Sequence, residues 1–263
     1  MHTYLILFRN GFISEFLKHR NTFLLWFVLL VPLVITTVTF LTVWADHALD
    51  VINPWRWYVV FNYKPYFHIF VFLQILLICH VNYIEHRNNT WKNLRVLSVP
   101  FEVVFFSKIV FAYFILIINV LEFYSFIMLS GYVLSKLRPE LGFQDTNYWI
   151  EAFIPSCKFI AASASITSIL YCVSYYVKSI LVAIIIGLLG YVSAFVLFLY
   201  TNRSGYTGFP YAQWHPFNFS ALAFDSFGTG NHLLNMEYVY YGFIGGVLLL
   251  CMHYLLTRYK SVI

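Results

Sequence analysis

Six long apolar runs, separated by short polar segments, dominate the pattern of the chain. They cover approximately residues 23–44, 66–84, 109–132, 152–175, 180–200 and 238–257. Each run is close to the roughly 20 apolar residues that a helix needs to cross a membrane. Lipid offers no partner to an unpaired backbone group, so all six runs are predicted to be helices. The pattern therefore predicts an all-α integral membrane protein with one domain, residues 1–263, and six transmembrane helices.

The segment before the first run has a helical pattern of its own, over residues 4–20. One stripe is apolar and aromatic, formed by Leu5, Phe8, Phe12 and Phe16. The polar residues lie off that stripe: Arg9, Glu15, Lys18 and His19. This arrangement predicts an amphipathic helix that lies in the membrane interface before the first span. A simple cytoplasmic tail is the alternative.

The longest connection, residues 201–236, precedes the last span and is unusually aromatic for a loop. Pro210 and Pro216 interrupt it, and the tripeptide Trp214-His215-Pro216 lies near its centre. Such a segment is predicted to lie in the interface or to re-enter the membrane, where protein must cover any non-helical backbone. An ordinary aromatic belt is the alternative.

Charge gives the orientation of the spans. Charged residues make up only 10% of the chain, against about 25% in a soluble domain, so the net charge of +5 does not indicate nucleic-acid binding. With both termini inside, ten basic residues are cytoplasmic: Arg9, Lys18, Arg20, Arg87, Lys92, Arg95, Lys108, Lys178, Arg258 and Lys260. Five are outside: Arg56, Lys64, Lys136, Arg138 and Arg203. This asymmetry predicts cytoplasmic N- and C-termini.

The stretch 85–108, EHRNNTWKNLRVLSVPFEVVFFSK, is the main polar interruption on the predicted cytoplasmic side. Trp91, Leu94 and Leu97 recur at steps of three, with Lys92 and Arg95 on the other side. This spacing predicts a short amphipathic helix. Pro100 ends it, because the residue before a proline is disfavoured in helical conformation. The positive-inside rule alone would explain the basic residues, but it does not explain a tryptophan in the loop.

The amino-acid sequence of this stretch resembles the first cytoplasmic loop of ABC-2 type permeases, most closely those of lantibiotic-immunity and bacitracin-resistance exporters. The residues that carry the resemblance are Glu85, Arg87, Asn89, Thr90, Trp91, Lys92, Leu94, Arg95, Leu97 and Pro100. The resemblance implies that they form a coupling loop for ATP-binding subunits. It also implies that the N-terminal helix is an elbow helix and that Trp214-His215-Pro216 belongs to a re-entrant segment.

The same resemblance implies partners, cargo and location. The partners would be two ABC ATP-binding subunits, a second permease that is identical or homologous, and membrane lipid. The complex would lie in a bacterial plasma membrane and expel amphipathic peptides or lipid-like antibiotics. The chain has no Gly-x-x-x-x-Gly-Lys motif, so ATP and Mg²⁺ are expected on the partner subunits and no cofactor on this chain.

Two ionisable residues fall within predicted spans, Glu122 in the third and Lys158 in the fourth. Intramembrane charges are costly and usually face a partner, water or the bundle interior. The two spans are neighbours in sequence, so a Glu122–Lys158 pair is predicted. The alternative is that Lys158 snorkels to the headgroups alone.

Other chemistry finds little support in the sequence. No catalytic group, metal site or His-Glu-x-x-His motif is predicted. An integral membrane enzyme acting on lipid, with Glu122 or a histidine as acid or base, remains an alternative, and so does a non-transporting scaffold. Gly242 and Gly246 predict a close helix contact, within one subunit or between two.

Overall fold

A computed structural model describes residues 2–45, 53–87, 100–143, 149–204, 211–225 and 235–262, which contain helices and no strand. The helices are α1 (His2–His19), α2 (Phe23–Ala45), α3 (Pro54–Arg87), α4 (Phe101–Leu137), α5 (Trp149–Ala162), α6 (Ala164–Tyr176), α7 (Ile180–Ser204), α8 (Tyr211–Trp214), α9 (Phe219–Asp225) and α10 (Met236–Val262). Two 3₁₀ turns, Pro139–Leu141 and Pro216–Asn218, lie between them.

Six helical segments are long and apolar enough to cross a membrane, which confirms the predicted all-α architecture. They are α2, α3, α4, the combined α5–α6 segment, α7 and α10. The second span differs from the prediction, because α3 begins at Pro54 rather than near Tyr66. Trp55, in the added segment, is buried and donates its indole N–H to the Phe143 carbonyl at 2.8 Å. The helix thus begins about three turns earlier than predicted.

Helices α3 and α4 form the centre of the bundle, and aromatic side chains join them. The rings of Tyr66 and Phe123 stack with their centroids 3.6 Å apart. The Tyr66 hydroxyl donates to Asn119 Oδ1 at 2.7 Å, and Asn119 Nδ2 donates to the Val28 carbonyl of α2. Because these polar groups satisfy one another, they can be buried at modest cost. The three spans are thereby held in one register.

The fourth span is broken at Ser163, between α5 and α6. The Ser163 amide donates to the carbonyls of both Phe159 and Ile160 at 3.1 Å, a shared bond typical of a tightened turn. Gln74 of α3 donates to the Ser163 carbonyl at 3.0 Å and to Thr167 Oγ1 at 2.6 Å. The Ser163 carbonyl also accepts from the Thr167 amide at 3.1 Å, so Gln74 adds a contact that ties this turn to α3.

The two glycines of α10 lie against this break. A Cβ on Gly242 would overlap the Ala162 carbonyl oxygen and lie 2.7 Å from Ala162 Cα. A Cβ on Gly246 would lie 2.7 Å from the Ala164 carbonyl carbon. The close contact that the sequence left open is therefore made within one subunit, between α10 and the α5–α6 segment.

The N-terminal helix α1 forms as predicted, but two of the four polar residues noted in its sequence face the bundle. Glu15 and His19 are buried against the bundle, whereas Leu5 and Phe16 of the apolar stripe are exposed. Phe8 and Phe12 of the same stripe are half-buried, and the Phe12 ring packs edge-on against Phe111 and Phe114 of α4. The helix therefore places a carboxylate inside the protein and leaves several apolar side chains exposed.

Candidate functional site

Four charged side chains from three helices meet at the end of the bundle where α3 ends and α4 begins. Lys108 of α4 is fully buried, and its Nζ lies 2.9 and 3.0 Å from the two carboxylate oxygens of Glu15. The same Nζ lies 2.9 Å from Glu85 Oε1 of α3. Lys18 of α1 completes the set, with Nζ 2.8 Å from Glu15 Oε1 and 2.7 Å from Glu85 Oε1. We call these four residues the charge cluster.

The charge cluster is electrically neutral, with two carboxylates between two ammonium groups. Burial alone would lower the pKa of Lys18, but attraction and hydrogen bonds from Glu15 and Glu85 outweigh it and hold the pKa above its ordinary value. Lys18 keeps about a third of its side chain exposed, at 32%, so water shares in its solvation. Lys108 depends on the two carboxylates far more, because its ammonium is removed from solvent.

His19 lies beside the charge cluster and is uncharged. Its Nδ1 is 2.8 Å from the Glu15 carbonyl, and its ring lies 5.7 Å from that of His80. Burial, with Lys108 nearby, lowers the pKa of His19 to about 4. A neutral imidazole leaves the balance of two acids and two cations undisturbed near neutral pH.

The end of α3 is also fastened to the end of α6. His86 Nε2 donates to the carbonyls of Ser174 and Tyr175 at 3.2 and 3.0 Å, which lie in the last turn of α6. One turn earlier, Asn82 Nδ2 donates to Ser174 Oγ at 2.7 Å. The unpaired carbonyls at the end of one helix thus receive donors from the other.

The start of α4 is fastened to the end of α10. The Tyr254 hydroxyl donates to Glu102 Oε1 at 2.8 Å, and Arg258 Nη1 lies 3.8 Å from the same oxygen. Glu102 also lies in the first turn of α4, where a carboxylate favours the positive end of the helix dipole. The two helices that border the segment 88–99 are therefore each tied to other parts of the bundle.

The predicted coupling loop lies mostly outside the described residues. This applies to Asn89, Thr90, Trp91, Lys92, Leu94, Arg95 and Leu97. The structure describes its borders: Glu85 is buried in the charge cluster, Arg87 ends α3 with an exposed side chain, and Pro100 precedes α4. The amide of Val103 donates to the Pro100 carbonyl at 3.0 Å. Pro100 therefore caps α4 rather than occupying its first turn.

The structure places two residues of the stretch 85–108 deeper than the sequence indicated. Glu85, which the resemblance assigns to the coupling loop, is only 2% exposed. Lys108 was counted among the loop cations, but it lies two turns inside α4, fully buried. Glu15 and Lys18 were identified as polar residues of α1 but not as an ion pair, although their spacing of three on a helix could have indicated one. Their partners on α3 and α4 are distant in sequence, so no local pattern points to them.

Glu122 and Lys158 are not brought together. The ion pairs of the described residues, taken within 4.0 Å, do not include these two side chains. Glu122 is half-buried, with Oε2 buried and without a hydrogen-bond partner. Lys158 is buried and has interactions of its own. Adjacency of two spans in sequence did not fix the rotation of each helix about its axis.

The Trp214-His215-Pro216 motif joins α8 to the turn Pro216–Asn218 at the opposite end of the bundle. Trp214 is exposed and stacks on Tyr241 of α10, with ring centroids 5.6 Å apart. His215 Nε2 lies 3.2 Å from Ser193 Oγ of α7. The Pro216 carbonyl accepts from Ser165 Oγ of α6 at 3.2 Å. The motif is thus packed on three spans, as a re-entrant segment requires of its covering protein.

Metal-ligating side chains do not cluster in the part of the chain that the structure describes. No three His, Cys, Asp or Glu side chains there lie close enough to hold a metal ion. The charge cluster joins α1, α3 and α4 close to Arg87 and Pro100, the described residues on either side of the segment 88–99.

Comparison with known protein families gives a match over most of the chain. Residues 12–194, more than half of the chain, match the family described as ABC-2 family transporter protein. Curated proteins and solved structures gave no match. The matched range includes the charge cluster, the segment 88–99 and the broken span. Six membrane helices and this match together show that the chain belongs to the ABC-2 transporter family, as a multi-pass permease subunit that works with ABC ATP-binding subunits rather than as an enzyme.

Proposed function

We propose that this permease subunit belongs to an exporter that expels amphipathic peptides or lipid-like antibiotics from a bacterial plasma membrane. A second permease, identical or homologous, would complete the membrane part. Both termini would be cytoplasmic, so that the segment 88–99 meets the ATP-binding subunits. The asymmetry of basic residues supports this orientation, and the resemblance of residues 85–100 to lantibiotic-immunity and bacitracin-resistance permeases supports the cargo class.

The charge cluster is the single observation that carries the proposed mechanism. A force applied by the ATP-binding subunits to the segment 88–99 reaches α3 and α4 at its two ends. Because Lys108 contacts both Glu15 and Glu85, those ends cannot separate without breaking buried ion pairs. We infer that α1, α3 and α4 move as one body at this end, and that α3 and α4 carry the motion across the membrane.

The broken fourth span supports a second element of the mechanism. The break at Ser163 contacts the Pro216 turn through Ser165 and contacts α10 through Gly242. Discontinuous helices and non-helical segments at membrane depth are often where transport proteins bind or move. In the proposed mechanism, motion of α3 alters the Gln74 contacts at Ser163 and thereby loosens the outer segment that contains Trp214-His215-Pro216.

Replacing Trp91 with Ala is expected to release or uncouple the ATP-binding subunit while the permease still inserts. A buried aromatic anchor is worth at least about 2 kcal/mol in binding, which is about a thirty-fold loss of affinity. Lys92→Ala and Arg95→Ala are expected to weaken association modestly and to reduce its dependence on salt. The measurement is co-purification of the ATP-binding subunit and ATP hydrolysis by the complex.

Trp214→Ala is the matched control for this experiment. It removes the same side chain from the opposite end of the bundle, and its effect on association is expected to be negligible. If the loop serves only the positive-inside rule, the charged residues matter more than the tryptophan. Loss of Lys92 or Arg95 then disturbs insertion, and Trp91→Ala has no effect on association. An intact and fully active complex with Trp91→Ala would disprove the coupling role of this segment.

A further inference from the structure

A cavity of about 340 Å³ lies between α3, α5, α7 and the short helices before α10. This volume falls in the range of about 300–1,000 Å³ that is usual for small-molecule sites. Most of the wall is aromatic or aliphatic, with Phe67, Phe159 and Phe195 from three different helices. The cavity lies away from the charge cluster, towards the end of the bundle where α3 begins.

The polar groups in the wall are engaged with protein. The Tyr63 hydroxyl is hydrogen-bonded to Ser156 Oγ at 2.5 Å, and the Tyr63 ring stacks on Phe224. His68 Nδ1 lies 2.5 Å from the Tyr191 hydroxyl, and Asn218 Nδ2 donates to the Ala194 carbonyl at 3.1 Å. A hydrocarbon chain suits this wall, because the polar groups in it are already bonded to protein and need no partner from a ligand.

Lys64 is the exception in the wall. Its side chain is exposed, and in the described part of the chain it forms no ion pair or hydrogen bond. An ammonium on a flexible four-carbon stem can approach an anion at the mouth of an apolar cavity. One cation beside a hydrocarbon-lined space is complementary to a molecule with one apolar chain and one negative group.

We propose that this cavity binds the hydrocarbon chain of an anionic amphiphile, with its carboxylate or phosphate at Lys64. The inference rests on the proposed function only in so far as the bound molecule is cargo. Binding itself needs neither ATP nor a partner subunit, so a failure of binding and a failure of coupling are distinguishable.

The test is equilibrium binding of radiolabelled oleate to the purified permease in a non-ionic detergent. Unlabelled oleate, oleoyl lysophosphatidic acid, oleyl alcohol and oleylamine compete in parallel. The two anions are expected to compete at least about ten-fold better than the alcohol or the amine, as one charge-assisted contact would give. Comparing oleate with oleoyl lysophosphatidic acid shows whether the site prefers a fatty acid or a phosphate-bearing lipid.

Variants identify the site. Lys64→Gln is expected to weaken oleate binding about ten-fold without changing competition by oleyl alcohol. Ala221→Trp, or the milder Leu222→Phe, fills the cavity. Either variant is expected to abolish binding of oleate and of oleyl alcohol. Lys136→Gln is the matched control, because Lys136 is a cation that lies outside the cavity wall, near the end of α4, and its ammonium lies over the Tyr132 ring. Equal competition by oleylamine, or unchanged oleate binding in Lys64→Gln and the filled variants, would overturn the proposal.

Discussion

Lys108→Met is expected to destabilise the permease by about 3–5 kcal/mol, the usual cost of removing one partner from a buried ion pair. The change leaves Glu15 and Glu85 buried near each other, with Lys18 as their shared cation in the cluster. The protein is heated in detergent, and size-exclusion chromatography measures the folded fraction at each temperature. The Tm of Lys108→Met should be lower than that of the wild type by on the order of 10 °C.

Lys18→Met is the matched control, because it removes the same charge from the same cluster at a position that water reaches. Its effect is expected to be about 1 kcal/mol or less. Combining Lys108→Met with Glu15→Gln and Glu85→Gln should restore much of the lost stability, since a whole buried network can be replaced at little cost. An equal fall in Tm for Lys108→Met and Lys18→Met would show that the charge cluster is not buried as described.

Gly242→Ala and Gly246→Ala are each expected to destabilise the permease by about 1–3 kcal/mol or more, as overpacking does. The added methyl group meets backbone atoms of Ala162 or Ala164, which cannot move aside as a flexible side chain can. Because the contact is internal to one subunit, the loss should be the same at every protein concentration. The loss of stability is measured as the change in Tm, by the same thermal unfolding assay as for Lys108→Met.

Gly245→Ala is the control for the two glycine variants. A Cβ at this position meets nothing within 4 Å. Alanine also has a higher helix propensity than glycine by about 1 kcal/mol, so this variant should be neutral or slightly stabilising. A fall in stability for all three variants, or a change confined to oligomeric state, would contradict the internal contact.

The six spans were predictable because each depends on local composition. Hydropathy alone located α2 within a residue at each end. The start of α3 was not predictable, because it depends on Trp55 reaching the Phe143 carbonyl across 88 residues of sequence. The break at Ser163 was missed for a similar reason. Gln74, which binds the Ser163 carbonyl and Thr167, lies on another helix.

The charge cluster shows most clearly where sequence patterns stop being informative. Positive charges near the ends of spans usually face water, and Lys108 matches that pattern as well as Lys92 does. Only the folded arrangement reveals that Glu15 faces inward on α1 and meets Lys108. Conversely, Glu122 and Lys158 lie on consecutive spans but do not pair, because side-chain direction depends on helix rotation.

The most direct measurement for the whole account is purification of the complex from its native membrane in mild detergent, with identification of every co-purifying protein. The account predicts an ATP-binding subunit that carries a P-loop and is retained through Trp91 of the loop between α3 and α4. It also predicts ATP hydrolysis in the purified complex. A permease that purifies without any P-loop protein, under conditions where the charge cluster keeps it folded, would contradict the central claim.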